Sequence, residues 1–378
     1  MRIALVHDWV TGLRGGERVL DTLARAHPDA HLHTLIHRPG TTTPAIDALA
    51  IHTSPLNGLP GIERHYRKFL PLFPLAIGRL DLRGYDLVLS ISHAVARSAP
   101  VPAGTPHLAY CLTPMRYVWD HVDAYLGHGA KRWLATPLIG ALRRFDRSHS
   151  TPDHVDRFVA ISRAVASRIR RHYGRDSRVV HPPVAVERFR PSLRPPEDFY
   201  LLVGGFVPYK REQLVIDAFR KHGGRLIVVG DGPLRRDIAK RAPANVEFVG
   251  RLDDPSLAEL FANCRALIYP QEEDFGIVAV EAQASGRPVI AFAAGGALDS
   301  VRPLPRSADP DGSGAAGATG ILFEDQSVEG LLAAIRVFER HEAAFDPKLI
   351  RAHAERFSTE RFLHELALEI EATLTRAQ

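Results

Sequence analysis

Short apolar runs, each closed by a turn-forming or charged residue, recur along the whole chain. The first, Arg2-Ile-Ala-Leu-Val-His-Asp8, runs into Gly12-Leu-Arg-Gly15-Gly16-Glu-Arg-Val-Leu20, a glycine-rich turn that opens a helix. An unbroken apolar run of this length fits a strand buried on both faces. Further strands are predicted at Leu32–Ile36, Leu87–Ile91, Leu108–Cys111, Arg157–Ala160 and Val179–Val180, with helical stretches between them. Such alternation predicts βαβ units and a parallel sheet covered on both sides.

The pattern breaks between Pro182 and Pro196, where Pro182, Pro183, Pro191, Pro195 and Pro196 are interleaved with charges, as in a linker. A second series then follows: Phe199–Val203, Arg225–Val229, Val246–Val249, Ala266–Tyr269, Val289–Phe292 and Gly320–Phe323. From Thr359 to Arg376 the period changes to that of an amphipathic helix, with Phe362, Leu366, Ile370 and Leu374 on one stripe. The expectation is therefore an α/β protein of two Rossmann-like halves, residues 1–185 and 186–358. The closing helix, 359–378, is expected to pack back on the first half.

Composition supports a globular chain. Of 378 residues, 45% are hydrophobic and 24% charged, which is ordinary for soluble domains, and a chain this long buries a sizeable core without staples. Two cysteines, Cys111 and Cys264, exclude a disulfide framework and fit a reducing compartment. No run approaches the roughly 18 apolar residues of a membrane span. Charge at Arg2 and Asp8 interrupts the first apolar run, so no signal peptide is read, and a cytoplasmic location is expected. The net charge of +5 favours anionic partners. The 19 histidines are scattered without supporting ligands, so no metal site is expected. Bases and aromatics do not interleave along a strand face, which argues against nucleic acid.

Three segments carry candidate chemistry. Pro270-Gln-Glu-Glu273-Asp274-Phe275-Gly276-Ile277-Val-Ala-Val-Glu281 places an acidic loop between a strand and a helix start near Ile277. Unpaired N–H groups and the helix dipole suit a diphosphate there. Glu273 precedes the helix and Glu281 lies about one and a half turns inside it, so the two are not a paired acid–base dyad. Glu281 reads either as a ligand contact or as a solvated helix position. Val203-Gly-Gly205-Phe-Val-Pro-Tyr-Lys210-Arg211 sets two cations at another strand-to-helix turn, where they can neutralise charge on a departing phosphate. A solvated pair is the plainer alternative, though a helix start is a poor place for cations. Gly15-Gly16 permits close backbone approach or simply a tight turn, and its spacing is not the dinucleotide fingerprint. Gly312-Ser-Gly314-Ala-Ala-Gly317 has the fingerprint's letters but leads into a strand, so it is read as a flexible loop. Asp309-Pro-Asp311, an Asp-x-Asp in the same loop without supporting carboxylates, is discounted as a metal motif.

Together these segments resemble the retaining glycosyltransferases of family GT4, which have the GT-B fold with two parallel sheets facing across a cleft. The resemblance rests on Glu273 and Glu281 in the Glu-x7-Glu pattern, on Val-Pro-Tyr-Lys210-Arg211, and on Gly230-Asp-Gly-Pro233. It extends to Ala294-Gly295-Gly296 and Val180-His-Pro-Pro183. Tyr110-Cys-Leu-Thr-Pro-Met-Arg-Tyr-Val-Trp-Asp120 is similar to bacterial mannosyltransferase-like enzymes of surface polysaccharide assembly. The resemblance implies that the second half holds a nucleotide-sugar, taken as GDP-mannose or a related GDP-sugar. It implies that Glu273 contacts sugar hydroxyls, Glu281 the ribose and Lys210 the diphosphate, while Gly205, Arg211, Asp274, Phe275, Gly276 and Ile277 complete the donor site. Gly15 and Gly16 would approach the phosphates from the other half. No cofactor and no divalent metal are implied. The family's usual Arg five residues before the lysine is Gly205 here, and its usual His after Tyr-Cys is Leu112. These departures leave two alternatives open: a catalytically silent subunit with this fold, or another nucleotide-sugar enzyme such as a 2-epimerase.

The acceptor is expected to be a glycan or lipid-linked glycan, with Arg116, Tyr117 and Trp119 lining its site. His65-Tyr-Arg-Lys-Phe-Leu-Pro-Leu-Phe-Pro-Leu75 and the stretch from Lys131-Arg-Trp-Leu to Arg147 mix bases with bulky apolar groups. They read either as core-facing helices with outward arginines or as contacts with an anionic membrane at the inner face.

Overall fold

A computed structural model describes residues 1–120, 122, 130–305, 309, 315 and 317–377. The Asp309-Pro-Asp311 and Gly312–Gly317 motifs fall almost wholly outside the described residues, as do the side chains of Lys131, Arg132, Leu134 and Arg376. The chain divides into two compact units, one of Met1–Pro183 with Phe362–Gln378, the other of Val184–Arg361.

In the first unit seven strands form a sheet in the order β3-β2-β1-β4-β5-β6-β7. These are β1 (Ile3–His7), β2 (His31–Thr34), β3 (Ala50–Thr53), β4 (Leu87–Ser92), β5 (His107–Cys111), β6 (Arg157–Ala160) and β7 (Ser177–Val179). Every residue of β1 is buried, and it runs parallel to both neighbours, with Leu5 opposite Leu32 on one side and Leu89 on the other. Burial on both faces explains why the central strands lack alternation. The edge strand β3 was not anticipated: Ala-Ile-His-Thr is exposed at three of its four positions, so no apolar run marks it.

Phe362 and Leu366, on the closing helix Thr359–Ala377, are buried in this unit. The Phe362 ring meets Tyr110 edge-on at 5.5 Å, and the Tyr110 hydroxyl donates to the Val180 carbonyl at 2.9 Å. Arg157 Nη1 donates to Glu369 Oε2 at 2.8 Å.

The second unit is a six-stranded parallel sheet in the order β10-β9-β8-β11-β12-β13. Its strands are β8 (Tyr200–Gly204), β9 (Leu226–Gly230), β10 (Val246–Gly250), β11 (Leu267–Tyr269), β12 (Val289–Phe292) and β13 (Gly320–Phe323). Phe219 and Phe338, from helices Glu212–His222 and Val328–Arg340, close around Tyr200 at 5.3 and 6.0 Å. The proline-rich segment after Pro183 is held against this unit. Val184 N–H donates to the Phe357 carbonyl at 2.9 Å. The guanidinium of Arg351 bridges the carbonyls of Val186 and Ala284 at 2.7 and 2.9 Å.

Candidate functional site

Each sheet reverses its winding at one place, between β1 and β4 in the first unit and between β8 and β11 in the second. Connections leave such neighbours in opposite directions, so a crevice opens at their carboxyl ends, where ligands of open α/β sheets bind. In the second unit the two loops at this point are the two segments marked by sequence, 204–211 after β8 and 270–276 after β11.

The first loop is held in an unusual shape. Phe206, at φ 44°, and Arg211, at φ 58°, are the only non-glycine residues with positive φ among the described residues, a conformation that costs about 1 kcal/mol or more each. Phe206 is fixed by the buried carboxylate of Glu212, whose Oε1 accepts its N–H at 2.7 Å. Burial raises the Glu212 carboxyl, against the lowering effect of that N–H and of Lys210. Neighbouring glycines let the backbone stack: a Cβ at Gly230 would lie 1.9 Å from the Gly204 carbonyl oxygen, and one at Gly232 2.0 Å from that of Gly205. Over-determined in this way, the turn Pro208–Lys210 presents Lys210, whose Nζ pairs with Glu273 Oε1 across the switch point. The two side chains are 19% and 26% exposed, so the pair is partly desolvated yet open on one side. Burial works to lower the Lys210 ammonium, but the Glu273 carboxylate outweighs it and the net shift is upward.

The second loop is pinned equally closely. The Glu273 carbonyl accepts the Gly296 N–H at 2.8 Å, and a Cβ at Gly295 would fall 2.1 Å from that same oxygen. Phe275 is buried, 5.6 Å from the Phe357 ring. Gly276 adopts φ 90° over the buried hydroxyl of Tyr269, 2.4 Å from where a Cβ would be. Helix Ile277–Ala284 starts there without a side-chain cap, so its first-turn N–H groups stand beside the ion pair's loop. Glu281 is 5% exposed, which removes the solvated alternative. The structure thus brings Gly205, Lys210, Arg211, Glu273, Asp274, Phe275, Gly276, Ile277 and Glu281 onto the loops and helix of one switch point.

Gly15, Gly16, Arg116, Tyr117 and Trp119 belong to the other unit. Gly16 is tightly placed, since a Cβ there would meet Leu112 Cδ1 at 2.9 Å and His7 Cε1 at 3.2 Å. The switch point of this sheet is tied by Asp8, whose two oxygens accept the N–H groups of His93, Ala94, Val95 and Ala96 at 2.6–2.9 Å. Burial pushes the adjacent His93 imidazole down to about 4, even beside that carboxylate. Tyr117 and Trp119 pack on the core. The Trp119 ring is engaged by protein groups, with His172 stacked at 4.6 Å and the guanidinium carbons of Arg143 and Arg147 over it at 5.1 and 4.9 Å. A sugar stacking on Trp119 would have to displace one of them.

Two family models match the chain in tandem: "Glycosyltransferase Family 4" over residues 13–188 and "Glycosyl transferases group 1" over 185–356. The chain belongs to glycosyltransferase family 4. Among curated relatives of this family-4 chain, D-inositol 3-phosphate glycosyltransferase of Mycobacterium marinum is 32% identical over 233 residues, 56% of this chain and 46% of that protein. O-antigen chain mannosyltransferase C of Escherichia coli is 36% identical over 101 residues, 25% of this chain and 27% of that protein. The chain thus spans less than half the length of these curated relatives. The Anabaena HepE crystal structure, solved with UDP, superposes with a TM-score of 0.71 at 17% identity, covering 98% of this chain and all of that one. That likeness establishes the GT-B fold.

Glu212, Tyr269 and Asp8 escaped the sequence reading. A glutamate at a helix start reads as a dipole complement, a tyrosine at a strand end as core, and Asp8 as a break in an apolar run. Each acts by bracing a loop, which leaves no spacing pattern.

Proposed function

We propose that this family-4 chain is a retaining hexosyltransferase that takes its sugar from a nucleotide-sugar. The Lys210–Glu273 pair at the β8/β11 switch point carries the reading. The diphosphate would lie at the uncapped start of helix Ile277–Ala284, beside the Lys210 ammonium, so that charge building on the leaving phosphate meets a cation already in place. Glu273 would exchange part of its contact with Lys210 for hydrogen bonds to sugar hydroxyls. Glu281, held from water, would accept from the ribose. In the transfer step the bond from the anomeric carbon to the diphosphate oxygen breaks. A bond to the acceptor hydroxyl oxygen forms on the same face, and the hydroxyl proton passes to the departing phosphate. Lys210 and the helix dipole supply the positive charge, and no divalent metal takes part. The kinship with an O-antigen mannosyltransferase supports GDP-mannose or a related GDP-sugar as donor, and a glycan or lipid-linked glycan of surface polysaccharide as acceptor, reached at an anionic membrane face. No helix among the described residues is long and apolar enough to cross a membrane.

A panel of nucleotide-sugars tests the donor by thermal stabilisation, with and without EDTA. A ligand at a hundred times its dissociation constant adds about 2.7 kcal/mol, readily seen. Stabilisation by a GDP-hexose, unchanged by EDTA and lost in Glu273→Ala, is the expected result. Stabilisation by UDP-sugars alone would overturn the GDP assignment, and none from any donor would favour the silent subunit.

A further inference from the structure

The first unit carries a groove of about 580 Å³ lined by Trp119, Gly140, Arg143, Arg144, Arg147 and Ser148. All but Trp119 come from helix Ala130–Ser148. Ala135, Ile139 and Leu142 of that helix face the core. Positions 133, 137, 140, 144 and 147 follow the opposite stripe at helical spacing. That outward stripe runs from Trp133, 78% exposed, past Gly140, where a Cβ would meet nothing within 4 Å, to the exposed Arg144 and Arg147.

Two of the groove's arginines are held by the backbone. Arg143 Nε donates to the Val118 carbonyl at 2.6 Å and Arg147 Nε to that of His172 at 2.9 Å. Each bond uses the inner edge of a guanidinium and leaves its Nη groups as donors. Trp119, between them, is itself anchored by its Nε1–H to Asp146 Oδ2 at 2.7 Å. Asp146 does not offset the arginines, because it is fully buried and already paired with the buried Arg97 and with the Tyr173 hydroxyl. Among the described residues, no lining residue is acidic. Three like charges along one wall repel each other, and a multiply charged oxyanion relieves that repulsion. The guanidinium fork fits such oxygens in pairs.

We propose that this groove binds a phosphomonoester or diphosphate group. The proposal stands apart from the donor site, which lies in the other unit. The test uses the full chain, with Arg144→Gln/Arg147→Gln and, as a second variant, Gly140→Phe, which fills the groove from an open helix position. Calorimetry with inorganic pyrophosphate probes a soluble ligand. Flotation with phosphatidylcholine vesicles carrying phosphatidic acid, against phosphatidylserine at matched charge, probes a lipid headgroup. Expected is pyrophosphate binding at least tenfold weaker in both variants, or capture by phosphatidic acid in preference to phosphatidylserine that both variants lose. Equal capture by the two lipids without pyrophosphate binding would reduce the groove to general surface charge and overturn the proposal. So would no binding by the wild type, or binding unchanged in Gly140→Phe.

Discussion

Removing Lys210 separates its structural work from its work on a ligand. Lys210→Ala leaves the Glu273 carboxylate without its cation in a site where that side chain is 26% exposed. Breaking a fully buried pair costs about 3–5 kcal/mol, because one charge stays uncompensated. Exposure on one side lets water reach Glu273, so the cost here is reduced to about 1–2 kcal/mol. In Lys210→Ala/Glu273→Gln the orphaned charge disappears, and most of that loss should return. The signature is thus a double-mutant cycle with coupling of about 1 kcal/mol, read by urea unfolding at pH 7. The pH dependence has a definite sign. The folded pKa of Lys210 is raised above its ordinary 10.5, so the pair's contribution is fully present below pH 10.5 and is lost as pH climbs through the folded value. The coupling should therefore be flat from pH 6 to 9. Nucleoside diphosphate binding should follow a different pattern. It should fall at least tenfold in Lys210→Ala, the scale of one charge-assisted contact, and stay low in the double variant. Additive stability losses, or coupling that fades between pH 6 and 9, would refute this account of the pair.

Three further outcomes follow from buried contacts. Gly232→Ala places a Cβ 2.0 Å from the Gly205 carbonyl oxygen, whereas Gly205 has open space and negative φ. Melting should show Gly232→Ala losing several degrees and Gly205→Ala almost none. Glu212 has its pKa raised by burial, so its ionisation opposes folding, and the stability it gives is greatest below about pH 4.5 and declines as pH rises through the folded value. Glu212→Gln keeps an acceptor for Phe206 N–H, so its stability relative to the wild type should rise from pH 4 to pH 7 in parallel urea titrations. Asp146→Asn strands the buried Arg97 guanidinium and should cost about 3–5 kcal/mol in the same assay.

The strands legible in the sequence are those that carry an apolar run, whether wholly buried, as β1, or mostly so, as β6, β12 and β13. Arg157–Ala160, Val289–Phe292 and Gly320–Phe323 match the structure residue for residue, and helix Ile277–Ala284 begins where a helix start was expected. β3 was invisible because an exposed edge needs no apolar pattern. In the site, Lys210 and Glu273 were legible as chemistry, but their pairing was not, since 63 residues of chain separate them and only the strand order β8-β11 makes their loops neighbours. Trp119 was legible as an aromatic that could line an acceptor site, yet its partners include His172, Arg143 and Arg147, brought to it by tertiary packing alone.

The closing helix gives the molecule an order of assembly. The first unit takes its last segment, from Phe362 on, only after the entire second unit has been made. At a synthesis rate of about 5–20 residues per second, that wait is on the order of ten seconds or longer. During it, the ring of Tyr110 lacks the Phe362 edge, and Arg157 lacks Glu369. A nascent first unit is therefore a molecule with an open seam along Tyr110 and Arg157. The second unit, with its sequence uninterrupted from Val184 to Arg361, is free to mature first.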